Sequence, residues 1–216
     1  MKRLRLAPYV DQQARWPDRG RVILAQYDEE TVVVYQAQPP AVARYAAQHG
    51  RLDAPAFPFE RMAWIETSFL GMMHRWQWGV RREWGMALAI WVHRAAFDAL
   101  LAQAVPSRYE AGAYADRAAW QAALDASDVV AQWDPDYAPD GLKLRRQTLR
   151  LGLRGETLRH CVREYIAHVE DISAFARQQA PFRRRPELLL MPAQRIYPVR
   201  DAVLARRLGL HKYASD

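Results

Sequence analysis

The sequence predicts an α+β fold: a single domain with a mixed or antiparallel central sheet flanked by helices. Three observations carry that expectation. Apolar and β-branched runs, such as residues 31–37 and 86–92, are interspersed with helical segments without alternating with them regularly. No GxGxxG, Walker loop or GxSxG occurs, which disfavours the folds built on those turns. The length of 216 residues suits one domain. A chain of that size buries roughly 70% of its unfolded surface and needs no covalent staples.

The elements follow in order. Residues 11–20, DQQARWPDRG, read as a loop. Residues 22–26 and 31–37 are β-branched runs separated by YDEE, the pattern of a hairpin. Pro39 and Pro40 open a helix over 41–49, and Gly50 closes it. A short strand is expected at 62–65, and Ser68 is placed to cap a helix running to Trp76. Residues 86–92, MALAIWV, form a buried strand, followed by a helix over 94–104 that Pro106 stops. A helix covers Arg117–Ala126. A strand over 129–133 is expected to end at Pro135. Residues 148–153 read as a strand, and 156–168 and 171–179 as helices. FRRRP after Pro181 is an exposed basic turn. The tail holds a strand in ELLLM and a helix near 201–208.

Composition narrows the chemistry. Cys161 is the only cysteine, so no intrachain disulfide exists, and no Cys/His set has zinc spacing. No two of the six histidines are four residues apart, and no metal is expected. MKRLRLAPYVDQQ has no apolar run behind its basic residues and no window approaches a membrane span. The cytoplasm is the expected location. Net charge is +7, almost all of it from Arg. A GC-rich genome would produce that bias, and so would a phosphate-bearing partner. The charge clusters. Residues 141–163 carry seven Lys and Arg against Glu156 alone, and residues 181–216 carry eight against Glu187, Asp201 and Asp216. Clustering favours an anionic partner, with Arg145, Arg146, Arg150, Arg183, Arg184 and Arg185 as its candidate contacts.

Three constellations carry candidate chemistry. Tyr35 and Gln36 end an apolar strand, where polar groups often face a cleft; an ordinary edge strand would show the same pair. FERMAWIETSFLGMMHRWQWG concentrates Arg61, Trp64, Ser68, Arg75 and Trp78. Helical spacing puts Ser68, Met72 and Arg75 on one face. The bland alternative is a core helix with Met and Phe inside, Arg75 snorkelling and His74 on the surface. In QWDPD, Asp134 and Asp136 flank Pro135 beside Trp133, a stiff setting for a carboxylate. A plain turn fits the same residues.

These pieces are where a family resemblance enters. VYQA, FERMAWI, SFLGMMHRWQWG, LAI, AQWDPD, LRLGLRGE and VEDIS resemble, in order, the bacterial and fungal family named domain of unknown function 4291. The resemblance covers about residues 21–173, with 181–216 as a basic extension. Glu66-Thr67, Gly71 and Asp136-Tyr137 depart from the family pattern.

The order of elements is also similar to that of ADP-ribosyltransferase-like folds. That likeness implies a nucleotide- or NAD-using transferase. Tyr35, Gln36, Arg61, Trp64, Arg75 and Trp78 would hold the cofactor, NAD, and Asp134, Asp136 and Ser68 would be catalytic. The alternative is a non-catalytic RNA-binding module in which Trp and Tyr stack on bases and Arg tracks phosphates. A purely structural protein with core tryptophans is the third reading.

Overall fold

Strands β4 (Thr31–Gln38) and β6 (Met86–His93) make the centre of the sheet because their sequences are apolar on both faces. In the computed structural model, which describes residues 2–81 and 85–210, they pair antiparallel from Thr31–His93 to Gln38–Met86. Alternate side chains feed two cores. Val32, Val34, Leu88, Ile90 and Val92 enter the first. Val33, Tyr35, Ala87, Ala89 and Trp91 enter the second. A strand buried on both sides has no polar face, so its sequence runs continuously apolar.

The other strands extend this pair. β10 (Ile166–Asp171) lies outside β6. On the far side of β4 come β5 (Ala63–Glu66), β9 (Lys143–Leu153), β8 (Val129–Tyr137) and β7 (Val105–Pro106). β2 (Arg19–Arg21) runs beside the start of β9. The β2–β9 and β7–β8 pairs are parallel and the rest antiparallel, so the sheet is mixed. Helices cover both faces. α2 (Pro40–His49), α4 (Arg94–Gln103) and α6 (Gly155–Glu164) seal the first core. α1 (Tyr9–Gln13), α3 (Phe69–Trp76) and α7 (Ser173–Gln179) seal the second. The protein is an α+β domain, as its sequence predicts.

Local signals explain most element ends. α2 begins with Pro40 and ends at Gly50, whose φ of 71° only glycine adopts freely. α5 (Arg117–Ala126) is capped by Asp116, and α8 (Ala202–Arg207) by Asp201.

Four expectations are corrected. Residues 11–20 are not all loop: α1 and β2 occupy half of them. Residues 22–26 and 31–37 do not form a full hairpin. Only Tyr27 and Val32 bridge, while β3 (Leu24–Ala25) pairs with β12 (Arg195–Ile196). α6 stops at Glu164, and the segment after it is strand β10, whose Ile166, His168 and Val169 register against β6. β8 continues through Pro135 to Tyr137, because β7 pairs only with Val130 and Ala131. Beyond Ala131 that edge of β8 carries no partner among the described residues, so a missing N–H is tolerated.

The N-terminus folds back along the chain's end. β1 (Leu6–Pro8) pairs with β11 (Leu190–Pro192).

Candidate functional site

The sheet opens where β4 and β5 part. A single pairing, Tyr35 with Glu66, joins these strands. Beyond it β4 follows β6 to Gln38, while β5 follows β9 back to Ala63. Between them lies a cleft of about 340 Å³. The Gln36 side-chain amide donates to the Trp64 carbonyl at 3.1 Å and bridges its inner end. Arg61, Met62 and Trp64 form one wall, Gln36 and Gln38 the other, and Met72, Arg75 and Trp76 of α3 close it.

Strand periodicity places the charged groups. On β5, β9 and β8, the residues Ile65, Leu149, Leu151, Ala131 and Trp133 enter the first core. The alternate positions, Glu66, Arg150, Gln132 and Asp134, therefore share the face that α3 covers. Register puts Glu66 and Gln132 on either side of Arg150. Helix α3 brings Arg75 to them. It starts where it does because the Ser68 hydroxyl accepts from the Gly71 N–H at 3.1 Å. Phe69, Leu70, Met72, Met73 and Trp76 are buried along its length.

The result is a square of two guanidiniums and two carboxylates. Arg75 Nε donates to Glu66 Oε1 at 2.6 Å, and a second, shorter bond joins Arg75 Nη2 to Glu66 Oε2. Asp134 Oδ2 accepts from Arg75 Nη1 and Arg150 Nη1, each at 3.2 Å, while its Oδ1 accepts from Gln132 at 2.9 Å. Arg150 lies over the Trp64 ring, 4.6 Å from its centroid. Burial alone would lower the Arg75 pKa, but the Glu66 hydrogen bond and the charges of Glu66 and Asp134 carry it above its ordinary value. Gly152 lies under the wall: a Cβ there would come 3.0 Å from Trp64 Cη2. Of the three arginines on the cleft wall, Arg61 alone has no acidic partner among the described residues.

The structure sorts the predicted residues. Gln36, Arg61, Trp64 and Arg75 line the cleft together. Asp134 stands behind it, holding both arginines. Tyr35, Ser68, Trp78 and Asp136 are not on its wall. Tyr35 is wholly buried and edge-on to Phe69, with burial pushing its hydroxyl pKa up. Trp78 packs on the same Phe69. Ser68 caps α3 and donates to Asp136 Oδ1 at 3.1 Å. Asp136 is 1% exposed, and Arg146 Nε donates to its Oδ2 at 2.6 Å. Arg146 also bonds the Pro17 carbonyl and lies over Trp16. A sealed pair reaches neither the cleft nor a surface partner, so both Asp136 and Arg146 leave the roles their sequence positions imply.

Arg150, expected on a nucleic-acid surface, is instead in the cleft. Arg145, Arg183, Arg184 and Arg185 are exposed. The end of the basic extension, residues 211–216 with Lys212, lies outside the described residues. Sequence reasoning missed Glu66 as a site residue. Its signal was a lone acid closing AWIE, on the same strand face as Trp64.

Among the described residues no group of His, Cys, Asp or Glu could hold a metal ion, and no helix is long and apolar enough to cross a membrane. The family model described as Domain of unknown function (DUF4291) matches residues 22–197. The match extends past the resemblance at 21–173 and takes in β11 and β12, which pair with β1 and β3. No curated protein matches the chain.

Proposed function

The chain belongs to the DUF4291 family, and we propose that the cleft between β4 and β5 binds a nucleotide for a transferase reaction in the cytoplasm. NAD is the form of ligand that this reading favours. One observation carries it: the parting of two strands gathers an aromatic ring, side-chain amides, an arginine with no acidic partner among the described residues and a buried carboxylate around one cavity. Such a set suits a planar, anionic ligand. A base or nicotinamide ring stacks on Trp64, whose other face Arg150 supports. Phosphate charge meets Arg61, since Arg75 and Arg150 are already balanced by Glu66 and Asp134. The Gln36 side-chain oxygen has no donor among the described residues and is placed to accept from an amide.

Glu66 takes the acidic role in this reading. Both of its oxygens are held by Arg75, which fixes its orientation. Because Asp134 also draws on Arg75, the Glu66 charge is only partly offset, and a carboxylate so placed stabilises positive charge developing on a ribose as the bond to nicotinamide breaks. The leaving group departs with the electron pair, the acceptor bonds to the ribose carbon, and the acceptor's proton passes to solvent. Asp134 positions Arg75 and Arg150 and does not touch the ligand.

The test is a thermal-shift comparison of NAD, ATP, GTP and a short RNA. A ligand at 100 times its Kd adds about 2.7 kcal/mol of stability. Stabilisation by NAD that Trp64→Ala abolishes supports the reading. No shift with any nucleotide counts against it.

A second reading, an RNA-binding module, draws on the exposed Arg145, Arg183, Arg184 and Arg185. Contacts of that kind weaken steeply with salt, because each neutralised phosphate releases condensed counterions. RNA binding with a steep salt slope, lost when Arg183, Arg184 and Arg185 all become Ala, would favour it.

A further inference from the structure

The N-terminal fold-back creates a second cavity that the nucleotide reading does not use. It measures about 350 Å³ and lies between the segment carrying β1 and α1 and the segment joining β11 to β12. Arg5, Arg15 and Arg195 line it, and no Asp or Glu does. None of the three makes an ion pair among the described residues; what they bond is main-chain oxygen. Arg5 donates to the Tyr27 carbonyl at 2.9 Å, Arg195 to the same carbonyl at 3.4 Å, and Arg15 to the Asp11 carbonyl at 3.0 Å. Two guanidiniums thus converge on one neutral acceptor. Arg195 is further held over the Tyr27 ring, 4.1 Å from its centroid.

The cavity floor is fixed. Gln12 and Gln194 are buried and spend their amides on the protein. Gln12 donates to the Ala7 carbonyl and accepts from Gln194 N–H, and Gln194 bonds Phe69 N–H and the carbonyls of Leu24 and Thr67. Trp16 donates its indole N–H to the Gln194 carbonyl at 3.1 Å. A rigid, neutral floor under three uncompensated cations makes a concave positive site. Like charges gathered this way repel one another until an anion arrives. Guanidinium forks match the oxygens of a phosphoryl group.

We propose that this cavity binds a phosphoryl group, supplied either by a free phosphorylated small molecule or by the backbone of a nucleic acid. The site is separate from the β4–β5 cleft and does not depend on what that cleft binds. It also differs from the exposed Arg183, Arg184 and Arg185, which line no part of it. Arg5 and Arg15 precede residues 22–197, so two of its three cations lie outside the segment that the family model matches.

The experiment is calorimetric titration of the full chain with pyrophosphate at low salt. It compares wild type with Arg15→Ala/Arg195→Ala, Arg195→Lys and Arg44→Ala. The expected result is saturable binding that the double substitution weakens at least tenfold. Arg195→Lys, which keeps the charge but loses the fork, should weaken it less, and Arg44→Ala, an exposed arginine of α2 that lines neither cavity, should leave it unchanged. Melting curves of each variant establish that it folds. A second arm titrates a single-stranded RNA oligomer. Tighter binding than pyrophosphate, with the same dependence on Arg15 and Arg195, assigns the phosphate to a nucleic acid. Weaker binding assigns it to a small molecule. Absence of binding by both probes overturns the proposal. So does binding that survives the double substitution in a folded variant, or that is lost equally with Arg44→Ala.

Discussion

Asp134 and Asp136 sit on the same strand, on either side of Pro135, and each meets an arginine from β9. Their surroundings differ. Asp134 shares Arg75 and Arg150 with Glu66 beside an open cleft, where Arg75 keeps 27% of its side-chain surface exposed. Asp136 and Arg146 are closed off, at 1% and 4%. The first cluster has four charged groups, with water on one side. The second has two, with Ser68, the Pro17 carbonyl and the Trp16 ring as its other neighbours. The same residue types therefore border an open cleft in one place and form a structural joint in the other. What divides them is whether the neighbouring strands part, as β4 and β5 do, or whether a loop covers the pair, as Trp16 and Pro17 do.

The largest effect expected is at the joint. Asp136→Ala leaves Arg146 buried without its anion, at a cost of about 3–5 kcal/mol. Denaturant unfolding should show the loss, while ligand binding per folded molecule stays at the wild-type level. A change below about 1 kcal/mol would mean that water reaches Arg146, and the contrast with Asp134 would fall.

Glu66→Gln sharpens the other side. It removes one charge from the square but keeps the shape, so a smaller loss of about 1.5–3 kcal/mol is expected. Transferase activity should disappear with it. Activity that persists in the folded variant would return the acidic role to Asp134.

Trp64→Ala should barely alter unfolding relative to these two, because the ring is only partly buried. Nucleotide affinity should fall by about 1–3 kcal/mol, the worth of one stacked base.

The smallest effect belongs to an exposed cluster, Lys2 with Asp28 and Glu30. Burial would raise the Asp28 pKa, but hydrogen bonds from Thr31, the Glu30 main chain and Lys2 hold it at about 2. A depressed carboxyl contributes stability above its unfolded pKa of about 4 and loses it as pH falls toward 2. Unfolding measured across that window should be slightly less acid-sensitive in Asp28→Asn than in wild type.

The sequence made some of this legible and hid the rest for physical reasons. β4 and β6 are readable because strands buried on both faces are continuously apolar. α2 is readable from Pro40 and Gly50, and α3 from the Ser68 cap. That Gln36, Arg61, Trp64 and Arg75 lie together is readable because three of them fall in a single short segment. Glu66 with Arg150 was not readable, since their meeting depends on the register of β5 against β9. The burial of Asp136 was not readable either: Arg146 and Trp16 come from distant segments, and nothing local distinguishes Asp136 from Asp134. β10 was hidden because its residues follow α6 after a single intervening Tyr165, without a Gly or Pro between them.

The central claim is that the parted strands β4 and β5 form a nucleotide site while the neighbouring buried pair does not. Calorimetric titration of NAD into wild type, Trp64→Ala and Asp136→Asn, each below its melting temperature, tests it most directly. The account predicts one site per chain in wild type, affinity at least tenfold weaker in Trp64→Ala, and unchanged affinity in folded Asp136→Asn. Equal binding by wild type and Trp64→Ala, or no binding by wild type, would contradict it.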